Sequence, residues 1–255
     1  MPARLLVSVR NLAEARSALE AGCDVLDLKE PAAGSLGMVE PATIAGICDF
    51  VRTASDALPV SVALGEALDW ASGPPLPAIV SGISYFKLGT AHLGGSPEWA
   101  RPLAFAVAQW KNAFYESARH TLAVSRPPEA IAVAYADFER ALAPPPEEVI
   151  RKAASCGCTG VLIDTFGKSQ GRLIDWCDLE RLRLVAGQAR KLRLTFALAG
   201  SLRITDLPEL CALEPDLIGI RSAACREGRR GAEIDPDAVR AFRRALASPE
   251  VVVPI

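Results

Sequence analysis

The sequence predicts one α/β domain over residues 1–255, of the TIM (β/α)8 barrel class. Its 255 residues match the length that eight strands and eight helices require, and half of them are apolar. Short β-branched or apolar runs alternate with longer segments of helical periodicity, which is typical of a parallel sheet. An open, doubly wound sheet normally has a glycine-rich first turn, whereas residues 9–12 (VRNL) contain no glycine. The closed barrel is therefore favoured.

Eight strands can be assigned in order along the chain. They are residues 5–9, 25–29, 60–64, 85–88, 131–135, 160–164, 194–198 and 217–220. The segments between them are predicted helices; the first, 13–21, has Asn11 as its N-cap and Gly22 just after its end. The proline-rich stretches 73–77 and 144–146 are predicted loops. After the last strand, 226–231 predicts a basic surface loop and Asp235-Pro236 a helix start.

Composition and charge exclude several classes of protein. Lys and Arg total 28 against 30 Asp and Glu, so no basic surface for nucleic acid is expected. No run approaches the roughly 18 apolar residues of a membrane span, and the N-terminus lacks the pattern of a signal peptide. We expect a cytoplasmic protein without a nucleic-acid or membrane partner, and with buried thiols at its seven cysteines. A homo-oligomer is compatible with the sequence, which does not determine the oligomeric state.

Common metal and nucleotide motifs are missing. The two histidines, His92 and His120, are predicted surface or loop residues, and the cysteine spacing does not form a zinc site. Residues 167–169 (GKS) resemble the end of a P-loop, but Leu162 stands where its first glycine is required. We therefore expect neither a metal ion nor a cofactor.

Lysines and aspartates lie at the carboxyl ends of three predicted strands. Because strand side chains alternate between faces, Asp27 and Lys29 are predicted to point to the barrel axis, as is Lys87. Asp164 ends the sixth strand, and Lys168 follows in the next loop. An inward charge is costly unless it is paired or solvated, and one such residue can simply belong to an internal ion pair. Five of them at the barrel face that carries active sites indicate catalysis.

Lysines in such a pocket suit carbonyl chemistry. Desolvation and neighbouring ammonium groups lower a lysine pKa, and the neutral amine can attack a carbonyl to form a Schiff base. Carbon–carbon bond formation or cleavage next to that carbonyl then becomes accessible, with further lysines or aspartates moving protons. From this chemistry, Lys29, Lys87 and Lys168 are equal candidates for the Schiff base.

Glycines and serines in the loops after the strands predict a site for a phosphorylated substrate, since their backbone N–H groups can face a phosphate. Polar residues of the first and fifth strands are secondary candidates for substrate contact. The predicted binding residues are Ser8, Arg10, Ser35, Gly37, Asp137, Gly200, Ser201, Gly219 and Arg221.

These motifs, in this order, resemble the (5-formylfuran-3-yl)methyl phosphate synthase family. The resemblance extends from the first strand to the eighth. It rests on residues 5–11 (LLVSVRN), Asp27-x-Lys29-x-Pro31, 34–37 (GSLG), 86–89 (FKLG), 135–137 (YAD), and Asp164-Thr165 with Lys168.

The resemblance implies a TIM-barrel lyase without a cofactor. Such an enzyme condenses two molecules of glyceraldehyde 3-phosphate into 4-(hydroxymethyl)-2-furancarboxaldehyde phosphate, with loss of phosphate and water, for methanofuran biosynthesis in one-carbon metabolism. It further implies that Lys29 forms the Schiff base and Lys87 accepts a proton, with Asp27, Asp164 and Lys168 completing the acid-base set. The alternatives are a class I aldolase or triose-phosphate isomerase-like enzyme, and a non-catalytic barrel that binds a phosphorylated metabolite.

Overall fold

Eight parallel strands close into a barrel in chain order in the computed structural model of this protein, which describes residues 2–54, 58–72, 82–119, 127–168 and 170–248. Each strand pairs with its neighbours in sequence, and the first pairs with the last. The predicted TIM barrel is thereby confirmed. The strands are β1 (Arg4–Val9), β2 (Val25–Leu28), β3 (Val60–Glu66), β4 (Tyr85–Gly89), β5 (Glu129–Tyr135), β6 (Gly160–Asp164), β7 (Thr195–Leu198) and β8 (Leu217–Ile220).

Helices follow the strands and surround the barrel. Those described are α1 (Leu12–Glu20), α2 (Pro41–Ala54), α3 (Ala67–Trp70), α4 (Ala100–Arg119), α5 (Pro146–Ala153), α6 (Leu173–Trp176), α7 (Leu179–Lys191), α8 (Leu207–Cys211) and α9 (Pro236–Ala247). None of the helices in these ranges combines the length and apolar character that crossing a lipid bilayer requires.

The predicted helix ends are present where the sequence marks them. The Asn11 side chain accepts a hydrogen bond from the backbone N–H of Glu14 at 3.0 Å, and Gly22 follows α1 with a φ of +85°. Asp235 caps α9 by accepting from the backbone N–H of Asp237. Of the two proline-rich stretches, residues 144 and 145 form a loop and Pro146 is the first residue of α5; residues 73–77 lie outside the described ranges.

Side-chain alternation separates two apolar regions. Leu26, Leu28, Phe86 and Leu88 face outward and pack in the core between the strands and the helices. A smaller cluster that includes Val133 fills the barrel interior. Charged side chains take the inward positions at the carboxyl ends of the strands, so the polar site lies directly above the inner apolar cluster. All seven cysteines are unpaired, and six of them are buried as predicted.

Candidate active site

A cavity opens at the carboxyl end of the barrel strands. It brings together all five lysines and aspartates that the sequence places at strand ends. Loops after β6, β7 and β8 complete its wall. The polar and glycine residues that line the cavity are Ser8, Asp27, Lys29, Lys87, Asp164, Lys168, Gly200, Ser201, Gly219, Arg221, Ser222 and Arg230.

On one side of the cavity, Asp27 is held between Ser8 and Lys87. The Ser8 hydroxyl donates to Oδ2 of Asp27 at 2.8 Å, and Lys87 Nζ donates to Oδ1. All three residues are buried. Burial by itself would raise the pKa of Asp27, but the charges of Lys87 and Lys29 reverse this and lower it. Asp27 is therefore an ionised carboxylate that fixes the Lys87 amine.

On the other side, Asp164 is shared by two lysines. Lys168 Nζ donates to Oδ1 of Asp164, and the backbone N–H of Thr165 donates to the same oxygen at 2.8 Å. Oδ2 lies 3.8 Å from Lys29 Nζ and has no hydrogen-bond partner among the described residues. Burial opposes ionisation of Asp164, yet the charges of Lys168 and Lys29 lower its pKa far below the usual range. Its free oxygen faces the Lys29 amine.

Lys29 differs from the other two lysines in its hydrogen bonding. Its backbone N–H continues the sheet by donating to the carbonyl of Val9 at 3.0 Å, which directs the side chain into the cavity. Its Nζ donates no hydrogen bond within the described part of the chain, whereas Lys87 and Lys168 each donate to a carboxylate. Burial lowers the pKa of Lys29 to about 7; the charge of Asp164 opposes that shift. A large share of Lys29 is thus an uncharged, nucleophilic amine near neutral pH.

Gly200, Ser201 and Gly219 lie on the cavity wall, as expected for residues that face a substrate. Gly200 has a φ of +111°, and a Cβ there would lie 3.0 Å from Thr165 Cγ2, so the turn requires glycine. The Ser201 hydroxyl donates to the carbonyl of Lys168 at 3.4 Å. The loop after β7 thereby contacts the loop that carries Lys168.

Arg221 lines the cavity, but its guanidinium is fully used within the protein. Nη1 and Nη2 donate to the two carboxylate oxygens of the buried Glu14, at 2.5 and 3.1 Å. The remaining N–H groups donate to the carbonyls of Ser8, Arg230 and Ala232. An arginine has five N–H donors, and all five have partners. Arg221 thus holds loops together, and its predicted contact with a phosphate stays a prediction.

Four other predicted binding residues do not line the cavity. Arg10 donates to Glu14 instead, with Nη2 at 2.6 Å from Oε1. The Ser35 hydroxyl donates to the carbonyl of Thr165 at 3.1 Å. Gly37 allows a tight loop, because a Cβ there would lie 2.3 Å from the carbonyl oxygen of Glu30. Asp137 accepts from the backbone N–H groups of Phe166 and Gly167, at 2.6 and 2.8 Å.

Substrate binding by these four residues stays a prediction, and their contacts in the structure share a physical reason. The side chains of Arg10, Ser35 and Asp137 form hydrogen bonds to nearby groups of the protein. Gly37 has no side chain, which allows two backbone segments to approach closely. Asp137 in particular fixes the start of the segment that carries Lys168. The four residues thus shape the loops around the cavity and do not form its wall.

Arg230 lines the cavity although the sequence predicts only a basic surface loop around it. Its two neighbouring arginines do lie at the surface in ion pairs, Arg226 with Glu233 and Arg229 with Glu227. Burial lowers the pKa of Arg230. No local sequence signal separates the three arginines, because the difference arises from how the loop folds against Arg221.

Glu66 and Tyr135 form a second polar pair that the sequence does not single out. The Tyr135 hydroxyl donates to Oε1 of Glu66 at 2.5 Å, and the backbone N–H of Ala91 donates to Oε2 at 2.9 Å. Gly89 makes room for this carboxylate, since a Cβ there would lie 2.0 Å from Oε2. Burial raises the pKa of both Glu66 and Tyr135. The pair lies at the ends of β3 and β5, outside the cavity wall.

His92 is exposed and packs edge-on against Phe166, as predicted for a surface residue. His120 and Ser169 lie outside the described ranges. Within those ranges, no group of three or more His, Cys, Asp or Glu side chains is arranged to bind a metal ion.

Comparison with known proteins shows which family this chain is similar to. Residues 5–243 match the model of a family described as 4-HFC-P synthase. A (5-formylfuran-3-yl)methyl phosphate synthase of Methanothermobacter thermautotrophicus is 37% identical over 250 residues, covering 96% of this chain and 99% of the relative. One of Methanococcus maripaludis is 32% identical over 244 residues, covering 92% and 96%. Among solved structures, phosphoribosyl anthranilate isomerase from Thermus thermophilus shares the fold, with a TM-score of 0.57, 16% identity, and coverage of 96% and 99%.

Proposed function

This chain belongs to the 4-HFC-P synthase family, and on that premise we propose that residues 1–255 form one cytoplasmic catalytic domain. The proposed reaction condenses two molecules of glyceraldehyde 3-phosphate into 4-(hydroxymethyl)-2-furancarboxaldehyde phosphate, with loss of phosphate and water. The product would provide the furan of methanofuran. As the chemistry runs through a lysine Schiff base, the enzyme is a lyase of the class I aldolase type.

One observation supports this proposal most strongly: the three cavity lysines are chemically different from one another. Lys87 and Lys168 each donate a hydrogen bond to a carboxylate, which fixes the position of their Nζ atoms. Lys29 lies beside Asp164 without a hydrogen bond, and burial lowers its pKa to about 7; burial also lowers the pKa of Lys168, which is hydrogen-bonded to Asp164. The arrangement thus supports Lys29 as the nucleophile and the other two lysines as proton-transfer groups.

The first step is imine formation. The uncharged Nζ of Lys29 attacks the carbonyl carbon of one triose phosphate; the hydroxyl of the adduct takes a proton from Lys168 and leaves as water, which gives an iminium ion. Its positive charge develops 3.8 Å from the free Oδ2 of Asp164, the distance at which Lys29 Nζ already lies. A buried carboxylate at that position stabilises the iminium more than the neutral amine.

The following steps move protons on the bound carbon skeleton. Lys87 removes a proton next to the iminium and exchanges it with Asp27, to which it is hydrogen-bonded. The resulting enamine attacks the aldehyde of the second triose phosphate and forms the new carbon–carbon bond. Lys168 is positioned by Asp164 to protonate a departing oxygen during phosphate loss and dehydration. A hydroxyl oxygen from the second triose then closes the ring on the iminium carbon, and elimination of the amine from that carbon releases Lys29.

The test combines trapping with product analysis. The purified protein is incubated with glyceraldehyde 3-phosphate and borohydride, and the modified lysine is mapped by mass spectrometry. We expect modification at Lys29, and without borohydride a product with the mass and long-wavelength ultraviolet absorbance of a furan aldehyde phosphate. An open-chain sugar phosphate would instead identify an ordinary aldolase. Absence of both trapping and turnover would leave a binding protein.

A further inference from the structure

The segment 225–234, which we term the β8 hairpin, folds back on itself and reaches the cavity wall through Arg230. An isolated antiparallel bridge joins Cys225 to Ile234, and the backbone N–H of Arg226 donates to the carbonyl of Glu233 at 3.0 Å. Arg226 and Arg229 are exposed on the hairpin and pair with glutamates of the same segment. Arg230 instead turns inward to the cavity wall.

Arg230 has unused hydrogen-bonding capacity where Arg221 has none. Among the described residues, its side chain donates one hydrogen bond, from Nη2 to the carbonyl of Gly34 at 3.2 Å. It forms no ion pair with a carboxylate in those ranges, although Asp164 is near enough for its charge to raise the pKa of Arg230 against the larger effect of burial. A guanidinium offers five donors in a planar fork that suits a phosphate group.

The charge of the cavity also favours an anion. Even when Lys29 is uncharged, the side chains of Lys87, Lys168 and Arg230 outnumber the two carboxylates of the cavity, while the charge of Arg221 is balanced by Glu14. Excess positive charge in a cavity with low-dielectric walls attracts a phosphate dianion. Arg230 lies at the side of the cavity where the β8 hairpin meets the loop after β2, because its side chain reaches Gly34.

We propose that Arg230 binds a phosphate group of the substrate and that the buried Glu14–Arg221 pair is its positioning device. Nε of Arg221 donates to the carbonyl of Arg230 at 3.0 Å, and Nη2 donates to that of Ala232 at 2.9 Å. Glu14 fixes Arg221 from α1, so the backbone of the β8 hairpin is tied to the start of the barrel. The assignment to a substrate phosphate rests on the proposed function; the assignment of an anion site does not.

Inorganic phosphate is the probe for the first experiment, with binding measured by titration calorimetry on the full-length protein. We expect Arg230→Ala to weaken phosphate binding by about tenfold to a hundredfold, since charge-assisted hydrogen bonds to a buried anion are lost. The phosphate affinity of Arg230→Lys should lie between those of the wild type and Arg230→Ala. Arg229→Ala is the matched control, because it removes the same charge from an exposed position of the same hairpin and should leave binding unchanged. Equal effects at Arg229 and Arg230, or no phosphate binding by the wild type, would overturn the proposal.

A second experiment separates phosphate recognition from structural damage. Borohydride trapping is compared for glyceraldehyde 3-phosphate and unphosphorylated glyceraldehyde. We expect Arg230→Ala to raise the half-saturating concentration of the phosphorylated aldehyde by at least about tenfold and to leave that of glyceraldehyde unchanged. An equal increase for both aldehydes would show a structural role and refute the inference. Failure to form a furan product would refute the proposed reaction only, because phosphate binding is measured without turnover.

Discussion

Lys29 Nζ lies 3.8 Å from Oδ2 of Asp164, and the other oxygen of that carboxylate is bound by Lys168. The two lysines thus share one negative charge. Lys168 has the shorter contact, which leaves Lys29 near a carboxylate without a hydrogen bond to it.

Lys29→Arg should abolish catalysis while preserving the positive charge. A guanidinium stays protonated and cannot form an imine with an aldehyde. We expect turnover to fall by at least roughly a thousandfold, the scale seen when a nucleophile is removed, and trapping at position 29 to disappear. The measurement is furan absorbance together with peptide mapping. Lys152→Arg, at an exposed position on α5, is the matched control and should behave as wild type.

The stability of the fold should depend on pH through Lys29. The unfolded chain keeps a proton on this lysine up to its ordinary pKa of 10.5, whereas the folded chain releases it at about 7. Between these values the unfolded state binds more protons, so the free energy of unfolding rises with pH, by up to about 1.4 kcal/mol per pH unit. Below about pH 7 both states are protonated, and the contribution is constant at its least favourable value.

Comparing the wild type with Lys29→Met isolates this effect. Methionine keeps a long, unbranched side chain at position 29 and removes the amine that titrates. Denaturant unfolding at several pH values gives the difference in unfolding free energy. The unfolding free energy of the wild type should rise relative to that of Lys29→Met as the pH increases from about 7 to about 10. A difference that stays flat or moves the other way would show that Lys29 is fully charged in the folded protein.

Asp164→Asn should lower the pKa of Lys29 further. Burial is the main cause of the lowered value, and the charge of Asp164 opposes it, so removing that charge removes the opposition. The pH at which trapping with unphosphorylated glyceraldehyde is half-maximal should shift downward; an upward shift would contradict the assigned electrostatics. The variant also leaves Lys168 without its carboxylate, and a cost of about 3–5 kcal/mol in unfolding free energy is expected.

Gly200→Ala should destabilise the protein at the cavity wall. The backbone there has a φ of +111°, and the added methyl group would meet Thr165 Cγ2 at 3.0 Å. We expect a loss of about 1–3 kcal/mol in unfolding free energy, measured by denaturant unfolding. Gly46→Ala in α2 is the contrasting control, because nothing lies within 4 Å of its added Cβ. That change should be neutral or stabilising by up to about 1 kcal/mol. Similar losses at both positions would argue against the strain.

Much of the barrel can be predicted because each strand repeats the same local pattern. Leu26 and Leu28 flank Asp27, and Phe86 and Leu88 flank Lys87, so the alternation itself assigns an inner and an outer face. Asp27, Lys29, Lys87, Asp164 and Lys168 could be singled out because inward charges at strand ends are costly and hence unusual. Their gathering in one cavity follows from barrel closure.

The arginines could not be assigned in this way. Glu14 binds Arg221 across 207 residues of sequence, and nothing near Arg221 indicates that its donors are already occupied. Arg226, Arg229 and Arg230 are equivalent in local sequence, and the tertiary contact with Arg221 turns Arg230 inward. The sequence predicts substrate contact for Ser35, Gly37 and Asp137 because their loops border the site. In the structure, the side chains of Ser35 and Asp137 form hydrogen bonds to the backbone of the loop after β6, and the absence of a side chain at Gly37 allows a close approach of the backbone.

Because Glu14 and Arg221 join the first helix to the last loop, the pocket cannot be complete on a chain that is still emerging from the ribosome. Until β8 pairs with β1, the amine of Lys29 remains hydrated and protonated like any surface lysine. A newly synthesised chain would thus be inert toward cellular aldehydes, and its reactivity would switch on when the barrel closes.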